Sequence, residues 1–476
     1  MKQPEDFPLK SFAEVDLTSV SVASNPTFGD VPAAFRAISP RGDPCSAQDG
    51  DLFPPLAYTR QQGGGLNEAR NHFQGIQRLN GRHLVMSGGF ATGRKRGSHM
   101  VVVEMGSRPA SGAWGSNTVF SGEPRDKDQA TAVYRLHTSH WHAGGLSRMG
   151  DILAVPLEGG TGSRVAFLDV QDPGALGILG LPNRSGGLTP FVIERDEPKA
   201  GAVALATVPH DGGGRYLCAV WREVSKRPMG RIEFYLSASN ALADGFLPPK
   251  TWTSPNPSPL PDGRDPAYQT ITFLVQQNGA TRLFMIGLEN GSGGEPFGNG
   301  PNFADLWEVT LPLPDLADSS SPPPTLTFLE TREFRGLREY CNFDAASGCH
   351  IAPDGALSLY SASHWRVDRS IRLSEFSARP QATFSVAHRK DGFVELYDAQ
   401  GFRGRRLTVH GTHQADIADY STIFVEAADF DEGVLSARYQ IPVGSTYALF
   451  TQSGFQGPPH LLSGKGVLEE IPDLAA

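Results

Sequence analysis

One strand-like segment occurs five times in this chain at nearly constant spacing. Each copy enters through small residues and then alternates apolar and polar positions, which is typical of a strand with one buried face. The starts of successive copies lie 65, 67, 74 and 66 residues apart. The copies are SHMVVVEM (98–105), SRVAFLDV (163–170), GRIEFYLS (230–237), ADLWEVTL (304–311) and SIRLSEF (370–376).

A second strand precedes each copy, and a short turn rich in Gly, Asn or Asp precedes that strand. Asn-Gly and Asp-Gly supply the positive φ angles of tight hairpins. A further strand lies before the turn, and a fourth, such as TPFVIER or TLTFLETREF, precedes the next copy. Four antiparallel strands repeated every 65–74 residues resemble the blades of a β-propeller. The sequence therefore predicts an all-β fold with a five-bladed β-propeller over residues 55–378; a β-sandwich with coincidental spacing is the alternative.

The two ends of this region complete the prediction. Residues 1–54 are expected to form an N-terminal extension. The stretch PLAYTR (55–60) reads as a lone outer strand, and we expect Leu56–Thr59 to complete the last blade. Such a closure pairs the two ends of the ring in one sheet and removes an exposed sheet edge.

Residues 383–476 carry a different pattern, in which an aromatic residue is followed by four residues, Phe, one residue and Gly. The pattern resembles the Greek-key motif of the βγ-crystallin family, and two copies fit one small βγ-crystallin-like sandwich. The motif positions are Tyr397, Phe402 and Gly404 in the first copy and Phe450, Phe455 and Gly457 in the second.

Microbial members of that family often bind Ca²⁺ through two Asn/Asp, two variable residues and two Ser/Thr. The nearest match here is DEGVLS, with Asp431 and Ser436 as the candidate ligands. Leu435 stands where the family places a hydroxyl, and a leucine cannot donate oxygen to a hard cation. The sequence therefore favours a structural role for this domain over Ca²⁺ binding.

Two first strands share an eight-residue pattern, HFQGIQRL (72–79) and HAGGLSRM (142–149). In a propeller the first strand of each blade runs beside the central axis, and residues near its start face the funnel. Aligning the repeats on their hairpin turns places one residue from each copy at this position. These residues are His72, His142, Gly201, Gln269 and Asp344.

Three interpretations of these residues remain open. His72, His142 and Asp344 are the two-histidine, one-carboxylate ligand set of several divalent metal sites. They are also candidate catalytic acid–base groups, because histidine titrates near physiological pH. The third interpretation is structural, with each histidine hydrogen-bonded to a neighbouring blade. Further candidate ligand-binding residues at the funnel and its mouth are Gln74, Gln269, Asn342, Glu158, Arg222, Glu289 and His364.

The functional hypotheses follow from the asymmetry of the inner positions. A lectin-like propeller keeps equivalent sites in every blade, whereas these five positions differ, so a single central site for a small polar ligand is favoured. That site would perform His/Asp proton transfer or metal-assisted chemistry of the lyase, cyclase or isomerase type. Glycoside hydrolysis is disfavoured because it needs paired carboxylates. Non-catalytic carbohydrate binding and a protein-interaction scaffold are the alternatives.

Charge, hydropathy and cysteine content limit the partners and the cellular location that the sequence predicts. The formal net charge of −9 argues against nucleic acid as a partner. The sequence contains no run of 18 apolar residues, so no membrane span is predicted. The N-terminal MKQPEDFPLKSF lacks a signal-peptide core, and four cysteines without a CxxC pattern do not form a disulfide framework. A cytoplasmic location is expected, with a processed secreted chain as the alternative; the oligomeric state stays open.

Overall fold

The computed structural model confirms that the fold is all-β. The chain divides into two compact units, residues 1–379 and 380–476. The structure describes residues 7–24, 26–54, 57–59, 71–89, 97–106, 128–210, 213–223, 230–255, 258, 260, 263–290, 301–312, 318, 320–336, 341–352, 355–377, 393–400, 403–410, 435–444, 446–452 and 456–474. Among these residues no helix combines the length and the apolar character that a membrane crossing requires.

The N-terminal residues belong to the first unit. Asp30 caps the single described α-helix by accepting the Ala33 N–H at 3.0 Å, and Pro32 suits its first turn. Two 3-10 turns, Leu17–Ser19 and Leu242–Asp244, complete the described helical content. The first elements are β1 (Leu9–Lys10), β2 (Ala13–Asp16), α1 (Val31–Ala37) and β3 (Arg41–Gln48).

The predicted repeats fold into successive antiparallel sheets. Repeat sheet 1 contains β4 (His72–Arg78), β5 (His83–Gly89), β6 (Ser98–Met105) and β7 (Asp128–His137). Repeat sheet 2 has an interrupted inner strand and a divided outer edge. It contains β8 (His142–Ala143), β9 (Ser147–Met149), β10 (Ile152–Glu158), β11 (Ser163–Asp169), β12 (Gly177–Pro182), β13 (Leu188–Pro190) and β14 (Val192–Arg195).

The third and fourth repeats form regular four-stranded meanders. Repeat sheet 3 contains β15 (Ala202–His210), β16 (Gly213–Glu223), β17 (Gly230–Leu236) and β18 (Lys250–Thr253). Repeat sheet 4 contains β19 (Thr270–Asn278), β20 (Ala280–Asn290), β21 (Asn302–Thr310) and β22 (Thr325–Gly336).

Repeat sheet 5 takes its outer strand from the N-terminal region. Its other strands are β23 (Asn342–Ile351), β24 (Leu357–Ala362) and β25 (Ser370–Ser377), and β3 pairs antiparallel with β25. Of the segment Leu56–Thr59 that was predicted for this position, Leu56 lies outside the described residues, and Thr59 makes one parallel bridge to Arg366. Cys45 and Ala47 of β3 are buried in the core, which explains why this strand completes the sheet.

Short parallel pairings of β4 with β23 and of β3 with β22 join repeat sheets 1, 5 and 4 into one 13-stranded sheet, and five apolar cores lie between successive repeat sheets. Four cores lie between consecutive sheets, from 1 and 2 through 4 and 5. The fifth core joins the last sheet to the first, with Tyr360 and Ile371 packed with Ile76 and Met86. The sheets of the first unit therefore follow one another in a closed cycle.

The second unit contains two sheets around its own core. The four-stranded sheet runs in the order β27-β26-β28-β31, and the hairpin pairs β29 with β30. Ser436 is fully buried at the start of β28, whereas Asp431 and two predicted motif positions, Phe402 and Phe455, lie outside the described residues. The strands are β26 (Phe393–Ala399), β27 (Arg403–His410), β28 (Ser436–Gln440), β29 (Thr446–Gln452), β30 (Gln456–Ser463) and β31 (Glu469–Ile471).

Candidate functional site

The repeated eight-residue pattern follows the inner strands of repeat sheets 1 and 2. His72 opens β4 and His142 opens β8. Their imidazole ring centroids lie 5.2 Å apart. His364, which follows β24, lies with its ring 5.2 Å from that of His72. We call these three residues the histidine cluster.

The glycine of the repeated pattern explains how the inner strands come together. A methyl group added at Gly75 would lie 2.8 Å from the Gly144 carbonyl oxygen and 2.9 Å from the Leu146 nitrogen. Gly145 donates its N–H to the Gly201 carbonyl at 2.8 Å and would collide with the Gln269 carbonyl if it carried a side chain. At this level the inner strands meet backbone to backbone, and the histidines three residues earlier lie together at one end.

Glu158 is the carboxylate of the cluster. It lies opposite His142 in the register of β8 and β10, and its Oε2 is 3.0 Å from His142 Nδ1. Burial opposes ionisation of this carboxyl. His142, Lys199 and the Ala200 N–H outweigh burial and lower the pKa of Glu158 to about 2.

The hydrogen-bond partners of His142 and His364 determine which ring nitrogen carries the proton. A carboxylate and a carbonyl can only accept, so His142 donates its Nδ1–H to Glu158 and His364 donates its Nδ1–H to the Phe73 carbonyl at 3.0 Å. In the neutral forms the Nε2 atoms of both rings carry lone pairs. Burial lowers the pKa of His364 to about 4, which keeps this ring neutral at physiological pH.

His72 lies between the other two rings and is buried, with 7% of its surface exposed. Its Nδ1 atom is buried and has no hydrogen-bond partner among the described residues. Burial, followed by the charges of His142 and His364, lowers the pKa of His72 well below its ordinary value. His72 therefore contributes a neutral, buried ring that packs between the other two.

A pair of glutamines is brought together from distant parts of the sequence. Gln269, immediately before β19, donates from Nε2 to the Gln74 Oε1 of β4. Both residues were predicted as ligand-binding positions, and their amides join the inner strands of repeat sheets 1 and 4.

The other predicted residues make contacts outside the histidine cluster. Asp344 accepts the Asn290 N–H at 2.8 Å, and Asn342 accepts the Ala345 N–H at 2.6 Å. Arg222 forms an ion pair with Glu197 at 2.6 Å. Glu289 accepts the Ala267 N–H at 2.8 Å and pairs with Arg264. The structure thus gives these four side chains local structural partners.

Three groups at the site were missed by the sequence analysis. Lys199 places Nζ 3.3 Å from Glu158 Oε2, Ala200 donates its N–H to Glu158 Oε1 at 3.0 Å, and the Phe73 carbonyl orients His364. Lys199 stands two residues before Gly201 in the repeat alignment, which is the signal that could have identified it. Backbone groups leave no comparable signal in a sequence.

A metal centre does not emerge from this geometry. In the part of the chain that the structure describes, no group of three or more His, Cys, Asp or Glu side chains is arranged to hold a metal ion. The predicted ligand set of His72, His142 and Asp344 is therefore not brought together among the described residues.

Comparisons with known proteins do not identify the chain. No family model matches it, and no curated protein matches it. Among 18 solved chains that match is an exo-1,5-alpha-L-arabinanase from a bovine ruminal metagenomic library. That protein is 12% identical, the match covers 66% of this chain and 96% of the arabinanase, and the TM-score is 0.26. A likeness this weak carries no argument, so the function is inferred from the site itself.

Proposed function

We propose that the first unit is a five-bladed β-propeller that binds a small polar molecule at the histidine cluster. The closed cycle of five repeat sheets, each pair sharing one apolar core, supports the propeller. The convergence of His72 and His142, which open the inner strands β4 and β8, with His364, which follows β24, supports the location of the site.

The observation that carries the ligand class is the orientation of two imidazoles. His142 and His364 each donate Nδ1–H to a protein oxygen, which leaves the Nε2 lone pair of the partly exposed His142 for a ligand, whereas the buried His364 ring also lies against the Ala345 carbonyl. A site built from hydrogen-bond acceptors recognises donors. A hydroxyl-rich molecule such as a sugar or polyol is the matching class, because each hydroxyl can donate to one imidazole.

The same groups can transfer a proton. The Nε2 atom of His142 would accept a proton from a ligand hydroxyl or an acidic C–H, and the ionised Glu158 would stabilise the imidazolium that forms. This assignment supports a lyase, cyclase or isomerase reaction. Glycoside hydrolysis needs a protonated carboxylic acid beside a second carboxylate, and a Glu158 with a pKa of about 2 does not supply that acid.

Carbohydrate binding without catalysis is the second candidate, because the acceptor geometry serves recognition as well as proton transfer. The two functions differ in what His142 does. In a binding site it contributes one hydrogen bond, whereas in an enzyme it also moves a proton.

Saturation-transfer NMR with a fixed panel of monosaccharides, disaccharides and polyols tests the proposal. Wild type is expected to give saturable signals for at least one sugar or polyol, and His142→Ala and Glu158→Gln are expected to lose them. His83→Ala is the matched control, since His83 is the first residue of β5, next to the turn that follows β4, and contacts Asn80. Equal signals from wild type and His142→Ala, or none from wild type, would contradict the proposal.

An observed ligand is then incubated with wild type and followed by proton NMR for exchange into deuterated solvent or for product. Turnover that disappears in His142→Gln while binding persists would favour the enzyme. Unchanged ligand after binding would favour the carbohydrate-binding function.

We also propose that residues 383–476 form the predicted βγ-crystallin-like domain. The two antiparallel hairpins, β26 with β27 and β29 with β30, support it, since both arise where the aromatic–glycine patterns lie. Tyr397 of the first pattern is buried and donates its hydroxyl to Glu395 at 2.8 Å.

A further inference from the structure

Two glutamine side chains from repeat sheets that share no apolar core meet at the centre of the first unit. Gln74 lies on β4 of repeat sheet 1, and Gln269 immediately precedes β19 of repeat sheet 4. Sheet 1 shares its cores with sheets 2 and 5, whereas sheet 4 shares its cores with sheets 3 and 5. The hydrogen bond from Gln269 Nε2 to Gln74 Oε1 therefore crosses the middle of the cycle of sheets. We call these two residues the amide pair.

An irregularity in β4 allows Gln74 to reach this centre. The register of β4 against β5 shifts between Phe73 and Gly75, which leaves Gln74 as an extra residue. Such a bulge re-aims the side chain that it contains. Phe73 stays fully buried in the core between sheets 5 and 1, while the Gln74 amide bonds across the axis.

The amide pair lies next to the histidine cluster. Gln74 follows His72 by two residues on the same inner strand. Phe73, between them, donates its N–H to the His364 carbonyl at 3.1 Å and accepts the His364 Nδ1–H at 3.0 Å. The Gln74 side chain is therefore one step further along the strand than two of the three histidines.

The backbone contacts of the inner strands lie beyond the amide pair. A methyl group at Gly75, the residue after Gln74, would lie 2.8 Å from the Gly144 carbonyl oxygen. A methyl group at Gly145 would collide with the Gln269 carbonyl. Because the strands meet backbone to backbone at this level, the amide pair lies between the histidine cluster and the level where the strands close together.

The amide pair keeps unused hydrogen-bonding groups. A glutamine amide carries two N–H donors and one carbonyl acceptor. The bond between the two residues uses one N–H of Gln269 and the Gln74 oxygen, and neither side chain has a second partner among the described residues. Gln74 is 5% exposed, yet its Nε2 atom is not sealed from solvent, and Gln269 is half-buried. The N–H groups of Gln74 and the Gln269 oxygen are therefore left for a bound molecule.

We propose that the amide pair is the floor of the ligand site and that Gln74 donates hydrogen bonds to the bound molecule. This inference rests on the proposed binding of a sugar or polyol at the histidine cluster. His142 offers an acceptor, and Gln74 offers donors one step deeper. A hydroxyl group both donates and accepts, so a molecule with several hydroxyls satisfies both, whereas an ammonium group would leave the Gln74 donors without an acceptor.

Saturation-transfer NMR titrations at pH 8 with D-glucose, D-galactose, myo-inositol and glycerol test this role. Wild type is expected to bind at least one of these probes saturably. Gln74→Glu keeps the bond from Gln269, because a carboxylate accepts it, but replaces the free N–H groups with an acceptor. We expect this variant to bind the same probe at least about tenfold more weakly, because its donor to the probe is lost.

The matched control is Gln277→Glu, which makes the same substitution at an exposed position of β19 and is expected to bind as wild type does. A second variant, Gln269→Met, removes the group that holds the Gln74 amide in place and is expected to weaken binding severalfold. Urea denaturation of each variant shows whether it folds, so that a loss of binding is compared only among folded proteins.

The outcomes separate this inference from the proposed function. If His142→Ala loses the probe while the folded variants of Gln74 and Gln269 bind it as wild type does, the amide pair is only a structural tie across the axis. That result overturns this inference and leaves the histidine cluster as the binding site. If wild type binds none of the four probes, the proposed function is contradicted and this inference with it.

Discussion

The polar side chains at the two ends of the inner strands are partnered differently, although one repeated pattern supplies both. At the histidine end, His142 and His364 donate their Nδ1–H groups to Glu158 and to a carbonyl, and the Nε2 atom of His142 is left as an acceptor. At the opposite end, which we call the arginine end, Arg78 pairs with Glu375 at 3.2 Å and Arg148 pairs with Asp151 at 3.0 Å. The partners behind each side chain, more than the side chains themselves, decide what each end can recognise.

The largest expected effect lies at the arginine end of β4. Arg78 is 1% exposed and contacts the buried Glu375 at 3.2 Å and the Tyr360 hydroxyl at 3.1 Å. Arg78→Met leaves Glu375 as an uncompensated buried charge, and we expect the free energy of unfolding to fall by about 3–5 kcal/mol. Urea denaturation of wild type and Arg78→Met measures this difference in the free energy of unfolding.

The double variant Arg78→Met/Glu375→Met removes both charges and is expected to recover much of this loss. A loss below about 1 kcal/mol in the single variant would show that this pair does not anchor the arginine end.

His364 is expected to contribute to a loss of stability between pH 6.5 and 4. Burial places the pKa of His364 at about 4 in the folded state against 6.5 in the unfolded state. The unfolded chain therefore binds the proton first, so stability is complete above pH 6.5 and falls as the pH drops towards 4. The contribution is on the order of 3 kcal/mol.

His364→Asn keeps an N–H donor for the Phe73 carbonyl and removes this titration. Urea denaturation across that pH range is expected to give a correspondingly smaller decline, whereas the exposed-site control His460→Asn should decline as wild type does. An unchanged decline in His364→Asn would assign the acid sensitivity to other groups.

Gly75, which lies between the two ends of β4, tests the contact between the inner strands. Gly75→Ala forces a methyl group against the Gly144 carbonyl and the Leu146 nitrogen, and we expect a loss of about 1–3 kcal/mol in thermal or urea unfolding. Gly81→Ala is the control, since nothing lies within 4 Å of a methyl group there. Equal stability of the two variants would contradict the backbone-to-backbone contact of the inner strands.

Strand content and repeat spacing could be predicted from the sequence because alternation and turn residues are local signals. The outer strand of repeat sheet 5 could not. RGDPCSAQ contains Gly, Asp and Pro, and it becomes β3 through pairing with β25 and burial of Cys45 and Ala47. Tertiary pairing overrides the weak strand propensity of this segment.

The residues of the candidate site likewise divide into those that the sequence predicts and those that it does not. His72 and His142 followed from the repeated pattern, and Glu158 follows from its position opposite His142 in a hairpin. Alignment on the hairpin turns places Asp344 with the histidines only if the strand before the turn is regular. The register of β23 against β24 shifts between Asn342 and Ala346, and such an irregularity re-aims the side chains within it.

Nitrogen-15 NMR of the imidazole rings at neutral pH, in wild type and in Glu158→Gln, tests the histidine cluster most directly. We expect the neutral rings of His142 and His364 to carry their proton at Nδ1 in wild type, because Glu158 and the Phe73 carbonyl accept it. Glu158→Gln should change the His142 signals and leave those of His364 nearly unchanged. Protonation of either ring at Nε2 in the neutral form would contradict the acceptor character on which the proposed ligand class depends.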